Sequence, residues 1–276
     1  MQFEKHNYHI VDPSPWPALG ALAVTILVFG AVNYFGSGKV YVPADGEAME
    51  VVRGSIKPLL VGLGLVILTM ILWWRDVIKE SHSGFHNTIV QIGLKYGMVL
   101  FIASEVCFFA AFFWAFFDVS LDLGDIRSMW PPEGIETMGA WGVPLINTII
   151  LLSSGATVTW AHHGLRQNNR NQLILGLILT LALGFTFTYL QAMEYMEAHF
   201  GFTEGIYPST FYMATGFHGL HVIIGSLFLL VCLIRSIKGH FSADHHVGFE
   251  AAAWYWHFVD VVWIFLFTTV YWWGAS

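Results

Sequence analysis

The sequence predicts an all-α polytopic membrane protein with seven transmembrane helices. Three observations carry that reading. Of the 276 residues, 56% are hydrophobic and only 11% charged, whereas a soluble domain is about 25% charged. Mean hydropathy is +0.61. The apolar residues also gather into seven runs of about 18 or more, the length that crosses a bilayer, separated by polar or Pro/Gly-rich segments. The net charge of -7 comes with no basic stripe, which excludes a nucleic-acid partner. Cys107 and Cys232 both lie within apolar runs, so they read as small packing residues rather than a disulfide or a metal site.

The first span runs from near Trp16 to Phe35 and follows Asp12-Pro-Ser-Pro-Trp-Pro17. No short basic segment with a small-residue cleavage site precedes it, so no cleaved signal peptide is expected. The second runs from Ile56 to Trp74, where Trp73 and Trp74 beside Arg75 form an interfacial anchor. The third runs from Gly93 to Phe117 and holds Glu105 alone in the otherwise uncharged stretch Gly97 to Phe117. A charge at a helix centre costs roughly 2.5 to 3.5 kcal/mol on insertion scales, so it must be neutralised, paired or aimed at a cavity. Two readings follow for Glu105: a protonated carboxyl donating a hydrogen bond to another helix, or a proton-responsive group coupled to a neighbour.

The fourth span, Val143 to Ala161, ends with Trp160 beside His162 and His163. The fifth, Gln172 to His199, carries Glu194 and Glu197; the sixth, Tyr207 to Ile234, carries His218 and His221. The seventh, Gly248 to Trp273, carries His257 and Asp260 and closes on Trp272-Trp273. Each polar pair has i, i+3 spacing, which places both members on one helix face. A helical di-iron site needs a Glu-x-x-His motif from each of two helices, and this sequence has none. No bound metal is therefore expected. Hydrogen bonding between helices is the expected role of Glu194, His218, His221, His257 and Asp260, each bond contributing on the order of 0.5 to 2 kcal/mol. A rival reading keeps Glu105 and these five as a metal or proton relay of an independent membrane enzyme or transporter. Gly216, Gly219 and Gly225, with Ala251 to Ala253, predict close helix approach that buries the sixth and seventh helices.

Lys and Arg set the expected orientation. Lys5, Arg75, Lys79, Lys95, Arg166, Arg170, Arg235 and Lys238 fall on the N-terminal side, against Lys39, Arg53, Lys57 and Arg127 on the other. That bias places the N-terminus inside and, after seven spans, the C-terminus outside. Asp45, Glu47, Glu50, Asp122, Asp125, Glu133, Glu136 and Glu204 fall on the outer side. They form either a solvated face or a negative field that steers a basic soluble partner.

Several blocks then carry a resemblance: Glu4 to Pro17, Trp73 to Glu80, Tyr96 to Val106, Trp130 to Gly134, Pro144 to Thr148, Phe211 to His221 and His246 to Trp263. From one end to the other the chain resembles cytochrome c oxidase subunit III. The resemblance implies a subunit without redox centres of its own, packed beside the catalytic subunit of an aa3-type haem-copper oxidase. Haem a and copper are then expected in partner subunits, with subunits I and II as neighbours and cytochrome c as electron donor to the complex. It implies two parts, residues 1–91 with helices one and two and residues 92–276 with helices three to seven, splayed around a cleft that holds phospholipid. Trp74, Lys79, Glu80 and His86 match lipid-headgroup positions, with Arg75 as their neighbour, and Arg235, Lys238 and His240 resemble a second headgroup site. Cationic side chains among interfacial tryptophans suit phosphate oxygens on independent grounds. Glu105 matches the family's intramembrane carboxylate, whose implied role is to support proton uptake by the catalytic subunit. The membrane implied is a bacterial plasma membrane or the mitochondrial inner membrane.

Overall fold

A computed structural model describes residues 13–36, 39–41, 50–52, 54–121 and 130–275. Among these, seven helices are long and apolar enough to cross a membrane. They are α1 (Trp16–Gly36), α2 (Lys57–His82), α3 (Thr88–Ser120), α4 (Val143–Arg166), α5 (Arg170–Glu197), α6 (Ile206–Ile237) and α7 (Val247–Leu266), the last continuing as a π-helical segment, Phe267–Trp273. The all-α expectation holds in the spans. One addition is a three-residue antiparallel ribbon between α1 and α2, β1 (Lys39–Tyr41) with β2 (Glu50–Val52), in which Val40 faces Val51.

Helix ends depart from the apolar runs in an instructive way. α2 continues past Trp74 to His82, and α3 begins at Thr88 rather than Gly93. Apolarity marks only the stretch that must sit in hydrocarbon. The backbone hydrogen-bond ladder continues into the interfacial layer, carrying Arg75 and Lys79 on helix rather than loop.

The chain divides into two compact units, Met1–Gly93 and Leu94–Ser276. In the first, α1 and α2 form a hairpin. Gly30 lies against the backbone of Pro58 and Leu59, and Gly62 against that of Ile26 and Leu27, so a Cβ at either glycine would overlap main chain. Trp16 Nε1 donates to Asp76 Oδ2 at 3.0 Å and closes the other end of the hairpin.

In the second unit, α7 lies at the centre, with Trp256 and Trp263 fully buried. The buried stripe of α4 includes Asn147, Thr148, Leu151, Ser154, Gly155 and Val158 at helical spacing, whereas Ile146, Ile149 and Leu152 point outward. Lipid tails and protein interior are equally apolar, so small and polar residues rather than large aliphatic ones mark the inward face. α4 and α5 are joined by a tight turn in which Asn168 takes a positive φ of 56° and Asn169 caps α5 by accepting from the Gln172 backbone N–H. α3 reaches the bundle through long aromatic side chains: Phe113 on Phe265 at 4.5 Å, Phe109 on His221 at 4.8 Å, and Phe108 on Phe217 at 5.1 Å between ring centroids.

The glycine expectation for α6 needs correction. Only Gly225 is used for close approach, packed under the Trp256 and Tyr255 rings, while Gly216 and Gly219 have open space where a Cβ would stand. α7 is the buried helix, and α6 is no more enclosed than α5.

Candidate functional site

Glu105 is not isolated in the fold. Its Oε2 lies 2.8 Å from His221 Nε2, a contact between α3 and α6 that spans 116 residues of sequence. His221 Nδ1 lies 2.6 Å from the Phe217 carbonyl oxygen. A carbonyl can only accept, so Nδ1 carries a hydrogen. A hydrogen bond across the Nε2 to Oε2 contact then requires one further proton, carried either as imidazolium with carboxylate or as neutral imidazole with carboxylic acid. Both forms leave the pair neutral overall, which lowers the cost of holding a carboxyl group at this depth. His221 is the more enclosed partner, its side chain 8% exposed against 20% for Glu105.

The other histidine pair members separate in role. His218, fully buried, donates from Nε2 to the Val259 carbonyl at 3.2 Å and packs its ring on Trp263. His257 sits on a more exposed face, its Nδ1 3.4 Å from Asp260 Oδ2 and its Nε2 3.1 Å from Thr159 Oγ1. Two indoles missed by sequence reasoning bind α7 to α4: Trp256 Nε1 donates to Ser154 Oγ at 2.8 Å and Trp263 Nε1 to Thr148 Oγ1 at 2.9 Å. Their seven-residue separation, two turns on one helix face, is the signal that could have found them.

Glu194 joins a third group. Its Oε2 accepts from Gln191 Nε2 at 2.8 Å and from the Tyr271 hydroxyl at 3.1 Å. Gln191 Nε2 also donates to the Tyr271 hydroxyl at 3.0 Å, and Asn147 Nδ2 donates to Gln191 Oε1 at 3.4 Å. Thus α5 and the π-helical segment meet at one carboxyl group, and α4 joins the group through Gln191. Gln191 preceded Glu194 in plain sight at i, i+3, but Asn147 and Tyr271 carried no local signal.

The two cationic groups differ. On α2, Arg75 Nη2 lies 3.3 Å and Lys79 Nζ 3.8 Å from Asp76 Oδ1, and both cations are largely exposed. Trp74 is exposed beside them, with Glu80 on the same helix; His86 follows the helix end, its carbonyl accepting from Gln91. At the end of α6, Lys238 is exposed but Arg235 of the last turn points inward, its guanidinium 4.4 Å from the Phe241 ring centroid and against Gly248. His240 is half-buried and donates its backbone N–H to the Arg235 carbonyl. Arg170 caps this helix end by donating to the carbonyls of Ser236 and Ile237.

Among the described residues, His162, His246 and Glu250 bring ligand atoms within 4.8 Å of one another, close enough to share a cation. No sequence motif joins them, because α4 supplies one and α7 with its approach the other two. Glu250 Oε2 is also engaged by Lys95 Nζ at 2.7 Å, which ties α3 to α7. Of the acidic outer residues, Asp45, Glu47, Asp122 and Asp125 and the Glu50 side chain lie outside the described residues, as do Lys5, Arg53 and Arg127 and the Lys39 side chain. Glu204 accepts from the Gly201 backbone N–H, and Glu136 lies 4.0 Å from His199.

Seven helices long and apolar enough to cross a membrane define a polytopic α-helical integral membrane protein. Residues 6–275 match the family model for cytochrome c oxidase subunit III. The chain is similar to cytochrome c oxidase subunit 3 of Marchantia polymorpha, 52% identical over 99% of this chain and 98% of the relative. It is likewise similar to the subunits 3 of Squalus acanthias and Rattus norvegicus, each 53% identical over 100% of both chains. The chain belongs to the cytochrome c oxidase subunit III family, and so to an oxidoreductase complex of the respiratory chain.

Proposed function

We propose that this chain is a non-catalytic subunit that stabilises the catalytic subunit of the oxidase, supports its proton uptake and binds structural phospholipid. The observation that carries the proton-linked part is the Glu105 to His221 contact at 2.8 Å, a carboxyl and an imidazole sharing one proton within the membrane. Haem a and copper reside in partner subunits in this reading, subunits I and II are the immediate neighbours, and cytochrome c delivers electrons to the complex. The N-terminus lies on the cytoplasmic or matrix side, in keeping with the excess of Lys and Arg there.

The headgroup site centres on α2. Arg75 and Lys79 meet the lipid phosphate, Trp74 covers the glycerol region, and Glu80 and His86 complete the polar rim. Asp76 holds both cations in place without competing strongly, because exposed ion pairs are worth about 0 to 1 kcal/mol. At the second group Lys238 is the cation open to a headgroup, with Arg235 acting through its packing and His240 beside it.

Purification of the assembled complex through a tag on this chain tests the reading. The expected result is co-purification of haem a-containing subunits with a redox spectrum of the oxidase. Recovery of the chain without haem-bearing partners, or with stoichiometric metal of its own, would overturn it.

A further inference from the structure

At the end of the bundle where α4 begins and α5 ends lies a cavity of about 360 Å³. Glu136, Thr137, Pro144, Glu194, Glu197 and His199 contribute to its lining. Glu136, Glu197 and His199 are exposed, while Glu194 is buried at 5% exposure. The cavity therefore connects solvent-facing titratable groups with one enclosed carboxyl.

The hydrogen bonds of that carboxyl are one-sided. Both fixed donors, Gln191 Nε2 and the Tyr271 hydroxyl, go to Oε2, and Oε1 has no hydrogen bond to any described residue. Asn147 Nδ2, by donating to Gln191 Oε1, fixes the amide so that its NH₂ faces Glu194. Two donors on one oxygen can serve it either as a carboxylate oxygen, where the bonds are stronger, or as the carbonyl oxygen of the acid. A proton can thus arrive at or leave Oε1 with no protein hydrogen bond broken.

We propose that this cavity is a proton-exchange site, with Glu194 Oε1 as the atom that takes up and releases the proton. Glu136, Glu197 and His199 at the mouth exchange protons with bulk water and pass them inward. The reaction is a reversible O–H bond formation between Glu194 and a hydronium ion, leaving water, and it needs no other reactant. The titratable groups facing Glu194 are Glu197 and Tyr195 of α5, Tyr207 of α6, Tyr271 of the π-helical segment, and Glu136 and His199 across the cavity. Both Glu194 and Glu197 occupy the last turn of α5, which holds no basic residue. Carboxylate charge is disfavoured at the carbonyl-bearing end of a helix, so this position suits an acid that alternates between its two forms. The assignment is independent of Glu105 and of the oxidase reading, since it uses only groups around this cavity.

Infrared difference spectroscopy of the intact purified complex, titrated from acid to alkaline pH in H₂O and D₂O, is the test. The expected result is one protonated-carboxyl C=O band that disappears on alkalinisation, shifts promptly in D₂O, and is lost in Glu194→Gln. The glutamine amide keeps an acceptor for Gln191 and Tyr271. Should that variant fail to assemble, Tyr271→Phe retains the acid and removes one donor, and the C=O band must move to higher frequency. A band unaffected by Glu194→Gln, one that does not exchange with D₂O, or one unmoved by Tyr271→Phe overturns the proposal. So does loss of the band on addition of Mg²⁺ or Zn²⁺ at neutral pH with stoichiometric uptake, which would make the cavity a cation site.

Discussion

The 2.8 Å contact between Glu105 and His221 predicts a sharp difference between two substitutions. Glu105→Gln keeps a donor and an acceptor beside Nε2, so assembly and electron transfer of the complex should persist, with a stability change under about 1 kcal/mol. Glu105→Ala leaves a buried imidazole nitrogen unpaired and should cost about 1 to 3 kcal/mol. Thermal unfolding of the purified complex measures both, and complete loss of haem incorporation in the glutamine variant would contradict the pairing. Trp263→Phe should likewise lower stability, by about 0.6 to 1.7 kcal/mol, the span found for hydrogen bonds between membrane helices. Here the unfolding midpoint of the complex is again the readout, and an unchanged midpoint together with Thr148→Val giving no effect would remove the indole bond from the account. At this scale the sequence singled out Glu105, His221, Glu194, His218, His257 and Asp260 as polar groups, and all six lie on the long apolar helices. It could not reveal that Glu105 pairs with His221 at all, since residues 116 positions apart meet only through the packing of α3 on α6.

At the scale of helices, the α1 and α2 hairpin depends on two glycines whose missing side chains let main chain meet main chain. Gly62→Leu should force the helices apart at a cost of about 1 to 3 kcal/mol or more, the range for overpacking. A cysteine pair introduced by Gly20→Cys and Thr69→Cys, where a Cβ added at Gly20 would stand 3.9 Å from Thr69 Cγ2, should cross-link readily in the parent background and poorly with Gly62→Leu. Equal cross-linking in both would show that the close approach is dispensable. Span boundaries were legible to within a few residues where hydrocarbon sets them, as at Val143 and Trp273. They were not legible where helix runs on through charged residues, as from Arg75 to His82, because hydropathy falls at the interface while hydrogen-bond geometry does not.

For the whole molecule, the proposed headgroup site predicts that Arg75→Gln with Lys79→Gln depletes tightly bound phospholipid from the purified complex by mass spectrometry. Retention of the same lipid complement would sink the site. The proposed orientation predicts that a cysteine at Ser83 reacts with a membrane-impermeant reagent from the cytoplasmic or matrix side and one at Thr203 from the other, and the reverse pattern would invert the topology. The sequence by itself determined that seven helices cross a membrane and that the chain resembles subunit III throughout. Long apolar runs are required wherever backbone must be satisfied inside hydrocarbon, and that requirement is written locally. Only the tertiary structure decided that Glu105 lies against His221, that Arg235 turns inward while Lys238 does not, and that Glu194 stands at the floor of an open cavity. The physical reason is that lipid and protein core are equally apolar, so hydropathy cannot say which face of a helix turns inward. That choice is made by small residues, aromatic packing and hydrogen-bond partners contributed by other helices.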